Sequence, residues 1–164
     1  MAFAGNVDEL ALLQSVRLKG AVTADVLARQ LGVAATSAQA ALDALVAAGR
    51  AADTGDGAFS LTEAGVAELD DQLDAERVSI DEDLFAEVVD RFEPLDAEFA
   101  DAAGDAGKLA DLDRRASDVF DDVSAYVPRL ARYQELLADS VTDGTAYAVV
   151  WSELRQEILS AAGR

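Results

Sequence analysis

This 164-residue chain is predicted to be mostly α-helical, with one small β-hairpin in its N-terminal part. Three observations point there. Apolar residues recur at three- and four-residue spacing along most of the chain, as they do in helices with one buried face. Alanine supplies much of the 51% hydrophobic content while aromatics make up 6%, which suits close-packed helices better than an all-β core. One glycine-rich turn, Thr54-Gly55-Asp56-Gly57, sits between two short strand-like runs.

The first helix is expected to start at Asn6, whose side chain can cap it, with Glu9 three residues on completing a capping box. Leu10, Leu13 and Val16 form its apolar stripe, and Gly20 ends it. Thr23 caps a second helix over 24–31, with Leu27 and Leu31 inward, and Gly32 makes the tight turn that follows. A third helix spans 35–48, where Ala38, Ala41, Leu42, Leu45 and Val46 repeat at helical spacing before Gly49. Strands near 50–53 and 58–61 flank the hairpin turn, and Thr62 caps a long helix reaching about Arg77. Two short helices, a turn and a two-stranded wing in this order read as a winged helix-turn-helix, assigned to residues 1–77.

Residues 78–164 read as an acidic helical domain that dimerises the protein or binds a partner. Asp81 caps a helix with Leu84, Phe85, Val88, Val89 and Phe92 inward. Pro94 is expected to kink or restart it, because proline removes a backbone donor and clashes with the preceding turn, and Leu95 and Phe99 carry the apolar face onward. Residues 104–107 read as a loop. A further helix carries Leu109, Leu112, Ala116, Val119, Phe120 and Val123, breaks near Pro128 and resumes with Leu130, Tyr133, Leu136 and Leu137. Asp143-Gly144 punctuates before a last helix with Tyr147, Val150, Trp151, Leu154 and Ile158. No Pro/Ser-rich linker separates the two parts.

The chain has neither Cys nor His, which removes thiol nucleophiles, imidazole bases, disulfides and nearly all zinc chemistry. The dense carboxylates from Glu68 to Asp101 read as solvated helix faces rather than an acid-base pair. No catalytic residue, metal ligand or cofactor is therefore expected, and the protein is read as a non-enzyme. The N-terminal MAFAGNVDEL has no cationic region, and no apolar run approaches membrane-spanning length, so a cytoplasmic protein without membrane contact is expected.

Formal net charge is −19, from 32 acidic and 13 basic residues. Residues 1–61 carry six acids and four bases, −2 of that total, so −17 falls on the rest of the chain. Such a field repels nucleic acid from the C-terminal part and leaves the winged region nearly neutral. It is also the surface of a protein kept in solution in a salty cytoplasm.

Arg17-Leu18-Lys19-Gly20, then LARQLGV, ALDALVAAGR and LTEAG, resemble bacterial MarR-like winged helix-turn-helix regulators. The same RLKG motif, its spacing to LTEAG, and the C-terminal VVWSEL are similar to a winged-helix family related to segments that accompany pyruvate-phosphate-dikinase-like, phosphoenolpyruvate-using enzymes. The resemblance implies a dimeric regulator of duplex DNA, or an adaptor for such an enzyme.

In a DNA-reading helix-turn-helix the exposed edge of the second helix enters the major groove while flanking bases hold phosphates. Here that edge is Thr36, Gln39, Ala40, Asp43 and Ala47, and Thr36, Ser37 and Gln39 offer base-edge chemistry. Arg17, Lys19, Arg29 and Arg50 are the candidate phosphate contacts. Asp43 and the wing-tip Asp53 and Asp56 are expected to oppose phosphate. Tyr126, Tyr133, Tyr147 and Trp151 are candidates for an effector pocket or, at helical spacing, for core. Two functions follow: a winged-helix transcriptional regulator binding duplex DNA as a homodimer, and an acidic adaptor or DNA mimic that holds a protein partner.

Overall fold

The computed structural model describes residues 2–3 and 7–164. Among these, the chain is mostly α-helical with small antiparallel strand pairs, as the apolar spacing predicts. It divides into two compact units, residues 1–75 and 76–164.

The first unit opens with β1 (Ala2–Phe3) and β2 (Val7–Asp8), paired antiparallel with Phe3 opposite Val7, a pairing too short to announce itself in sequence. Then come α1 (Glu9–Lys19), α2 (Ala24–Leu31) and α3 (Ala35–Ala47). Asn6 lies outside the described residues. The cap of α1 is Asp8, whose Oδ1 accepts from the Leu10 amide at 3.1 Å, so the helix begins later than expected. Thr23 caps α2 as predicted, accepting from the Val26 amide at 3.3 Å. Gly32, at φ 69°, ends α2 in a left-handed residue, and the Val33 amide reaches back to the Ala28 carbonyl at 3.1 Å.

The hairpin is β3 (Ala51–Asp53) and β4 (Phe59–Leu61), with Ala52 opposite Ser60. Val22, just before α2, forms an isolated antiparallel bridge to β4, exchanging both backbone hydrogen bonds with Phe59 at 2.9 and 2.7 Å. α4 (Glu63–Val78) follows. Leu12, Leu13 and Val16 of α1, Leu27 of α2, Leu42 and Leu45 of α3, Phe59, and Leu69 and Leu73 of α4 form one buried core. Val46 is 40% exposed rather than inward. It follows the fully buried Leu45 and lies at the edge of the covered stripe.

The second unit contains α5 (Glu82–Ala102), α6 (Ala106–Tyr126), a 3₁₀ turn at Pro128–Leu130, α7 (Ala131–Ser140) and α8 (Gly144–Ala161). Asp81, Asp105 and Asp143 cap α5, α6 and α8 through their side chains. Contrary to expectation, α5 runs unbroken through Pro94. That residue faces solvent, where water can serve the carbonyl left without its helical donor, while Phe92 and Leu95 remain buried on the other side. Leu84, expected inward, is 47% exposed in the first turn of α5. No helix among the described residues is long and apolar enough to cross a membrane.

Candidate functional site

α3 buries one face and offers the other. Ala38, Ala41, Leu42 and Leu45 are fully buried. Thr36, Gln39, Ala40, Asp43 and Ala47 are exposed, and Ser37 is half-buried. The helix ends in a Schellman motif: Gly49, at φ 76°, donates to the Val46 carbonyl at 3.0 Å, and the Arg50 amide donates to the Leu45 carbonyl at 2.8 Å. On the exposed face, Gln39 Nε2 donates to Asp43 Oδ1 at 2.9 Å, one turn further along. The face is thus uncharged apart from Asp43, and two of its five positions carry nothing beyond Cβ.

The candidate cations are less available than their spacing implies. Arg17 pairs with Asp70 of α4 at 2.7 Å. Arg50 donates to Glu9 and lies 3.8 Å from Glu68. Glu9 accepts from Arg50, and its expected capping-box partner Asn6 lies outside the described residues. Lys19 is half-buried and Arg29 is exposed. Sequence reasoning missed these pairings because the partners stand 53 and 41 residues away, beyond the reach of any helical spacing rule.

The hairpin-tip carboxylates are exposed and bond to the turn's own donors. Asp53 Oδ1 accepts from the Gly55 amide at 2.7 Å, and Asp56 Oδ1 accepts from the Ala58 amide at 3.3 Å and from the Thr54 hydroxyl. These donors, the Thr54 hydroxyl first, hold the Asp56 carboxyl below the usual carboxylate range. Both aspartates therefore build the turn as well as charging it.

In the second unit the aromatic candidates lie in and against the core. Tyr147 is fully buried, and Trp151 and Tyr133 nearly so. Phe99 stacks on Trp151 with centroids 4.9 Å apart and planes 7° apart, and Phe92 and Phe120 approach Trp151 at 5.7 and 5.5 Å. Trp151 Nε1 donates to Asp96 at 2.9 Å. The Tyr147 hydroxyl donates to Asp113 at 2.7 Å, and burial together with that carboxylate pushes its pKa up. Tyr126 is half-buried, edge-on to Phe85 at 5.7 Å. The faces of Trp151 are thus taken by protein rings rather than turned to a shared cleft.

A cavity of about 290 Å³ lies elsewhere in this unit, lined by Arg77, Val78, Ile80, Glu82, Phe85 and residues 161–163. A buried ion cluster, invisible in the sequence, sits near the 3₁₀ turn. Arg129 makes a two-pronged pair with Glu76 at 2.8 Å and 2.8 Å, and also donates to Glu157. Burial disfavours the charged guanidinium, but the two carboxylates outweigh it and hold Arg129 protonated. Among the described residues no group of three or more His, Cys, Asp or Glu is arranged to hold a metal ion. Comparison with protein-family models, curated proteins and solved structures gave no match.

Proposed function

We propose that residues 1–75 act as a winged helix-turn-helix and that the chain is a transcriptional regulator binding duplex DNA as a homodimer. The observation that carries this reading is the outer face of α3, which its own unit leaves uncovered and which the Gly32 and Gly49 turns hold at a defined length. Thr36 and Gln39 supply the polar groups of that face, and Ala40 and Ala47 let a groove edge approach closely. In a dimer the two α3 helices address half-sites about 34 Å apart. The pair holding Arg17 is half-exposed, and such pairs contribute about 0–1 kcal/mol, so phosphate can compete for that side chain, whereas Arg50 is held by a Glu9 that is 13% exposed.

Binding to pooled duplexes at low salt, followed through a salt series, tests this. The expected result is binding that weakens with salt, is lost or greatly reduced in Arg50→Glu, and loses sequence preference in Gln39→Ala. Absence of binding to any duplex at low salt overturns it.

The second reading is an acidic adaptor or DNA mimic that holds a protein partner, with a phosphoenolpyruvate-using enzyme as the candidate drawn from the sequence resemblance. Arg17 and Arg50 already engaged by Asp70, Glu9 and Glu68 favour it, as do the carboxylates at the hairpin tip. Under this reading, charge reversal at Asp70, Asp71 and Asp74 abolishes capture of a single partner while leaving duplex binding absent throughout.

A further inference from the structure

Resting on the DNA-binding reading, we infer that Asp43 is a positioning residue that sets Gln39 to read adenine, so that the site selects an A·T pair opposite α3. Charge alone makes Asp43 an obstacle to DNA. Its hydrogen bond says more. Gln39 Nε2 donates to Asp43 Oδ1 at 2.9 Å, and an ionised carboxylate only accepts, so the amide cannot be turned end for end at this contact. The amino end of Gln39 is thereby fixed towards Asp43, and the carbonyl end faces away.

A primary amide has two N–H groups and one carbonyl oxygen. With one N–H given to Asp43, the other N–H and Oε1 remain. Adenine presents the matching set in the major groove, an N7 acceptor beside an N6 amino donor. Guanine presents two acceptors, N7 and O6, and would set O6 against Gln39 Oε1. An unheld glutamine loses rotamer freedom on binding, and a pre-oriented one loses less. Ala40 is exposed next to Gln39 and offers only a methyl group, the partner that a thymine C5-methyl favours.

The test is selection from randomised duplexes at low salt by the full-length chain and by Gln39→Ala, Asp43→Ala and Asp43→Asn, with circular dichroism confirming equal helix content. The wild-type chain should enrich A·T at one position of each half-site. Gln39→Ala should lose that preference by about ten-fold or more in relative affinity. Asp43→Ala should weaken it by about two-fold, the scale of an exposed i,i+4 Gln–Asp hydrogen bond. Asp43→Asn should keep it, because its Oδ1 still accepts from Gln39, and should bind all duplexes more tightly because a negative charge has gone. Tighter binding by Asp43→Ala with the A·T preference intact would overturn the positioning role. Enrichment of G·C at the Gln39-dependent position would overturn the base assignment. If no duplex is enriched by any variant, the DNA-binding reading falls and this inference with it.

Discussion

Gly65 shows how a single atom fixes the junction between hairpin and helix. A Cβ at this position would stand 2.0 Å from the Arg50 carbonyl oxygen and 3.0 Å from its carbon, both backbone atoms with no freedom to swing away. The same carbonyl accepts from the Thr62 amide at 3.0 Å, while the Thr62 hydroxyl donates to the Gly49 carbonyl at 2.6 Å and accepts from the Gly65 amide at 3.2 Å. The first turn of α4 is thereby seated directly on the chain that leaves α3. Gly65→Ala should destabilise residues 1–75 by about 1–3 kcal/mol or more, read as a lower denaturant midpoint. Gly104→Ala, where nothing lies within 4 Å of the added Cβ, is the control expected to show little change. Equal midpoints for the two variants would mean that the Gly65 contact relaxes at no cost.

Between elements, the largest electrostatic commitment is Arg129. It joins Glu76 near the end of α4, its own 3₁₀ turn and Glu157 of α8, and its side chain is 9% exposed while that of Glu157 is 1% exposed. Removing the cation breaks a buried ion pair with Glu157, which typically costs about 3–5 kcal/mol. Arg129→Met should therefore lower the stability of residues 76–164 by that order. The double variant Arg129→Met with Glu157→Gln should recover part of the loss, because the buried negative charge has gone along with the cation that answered it. No recovery would show that the packing of the Arg129 stem, rather than its charge, holds these elements. The aspartate caps of α5, α6 and α8 act differently, since each satisfies orphan amides within its own helix and ties nothing distant.

Over the whole molecule, a net charge of −19 opposes the compact state by self-repulsion. Salt shortens the reach of that repulsion to about 10 Å at 0.1 M. The melting temperature should therefore rise by several degrees between low and moderate sodium chloride. A fall would show that native ion pairs such as Arg17–Asp70 and Arg115–Glu98 outweigh the repulsion. Salt then acts in opposite senses on the two properties, strengthening the fold while weakening any contact with phosphate. Measuring stability and duplex binding in the same series separates them.

By itself, the sequence determined the order of helices, the hairpin and most of the caps. Thr23, Asp81, Gly32, Gly49 and the Thr54–Gly57 turn act through hydrogen bonds and backbone angles within a few residues, so their effect is written where they stand. The polar positions on the outer face of α3 were legible for the same reason, because a 3.6-residue period places Thr36, Gln39 and Asp43 away from the buried Ala38, Ala41 and Leu45. Only the tertiary structure decided where Val46 and Leu84 fall, since coverage in a terminal turn depends on which neighbour reaches it. It also decided that Arg17, Arg50 and Arg129 answer carboxylates of their own chain, and that Trp151 is packed between rings rather than facing a shared cleft. The hydrogen-bonded ion pairs of Arg17 with Asp70, Arg50 with Glu9 and Arg129 with Glu76 and Glu157 join residues 28 to 53 positions apart, and no local spacing encodes a partner that only folding brings near.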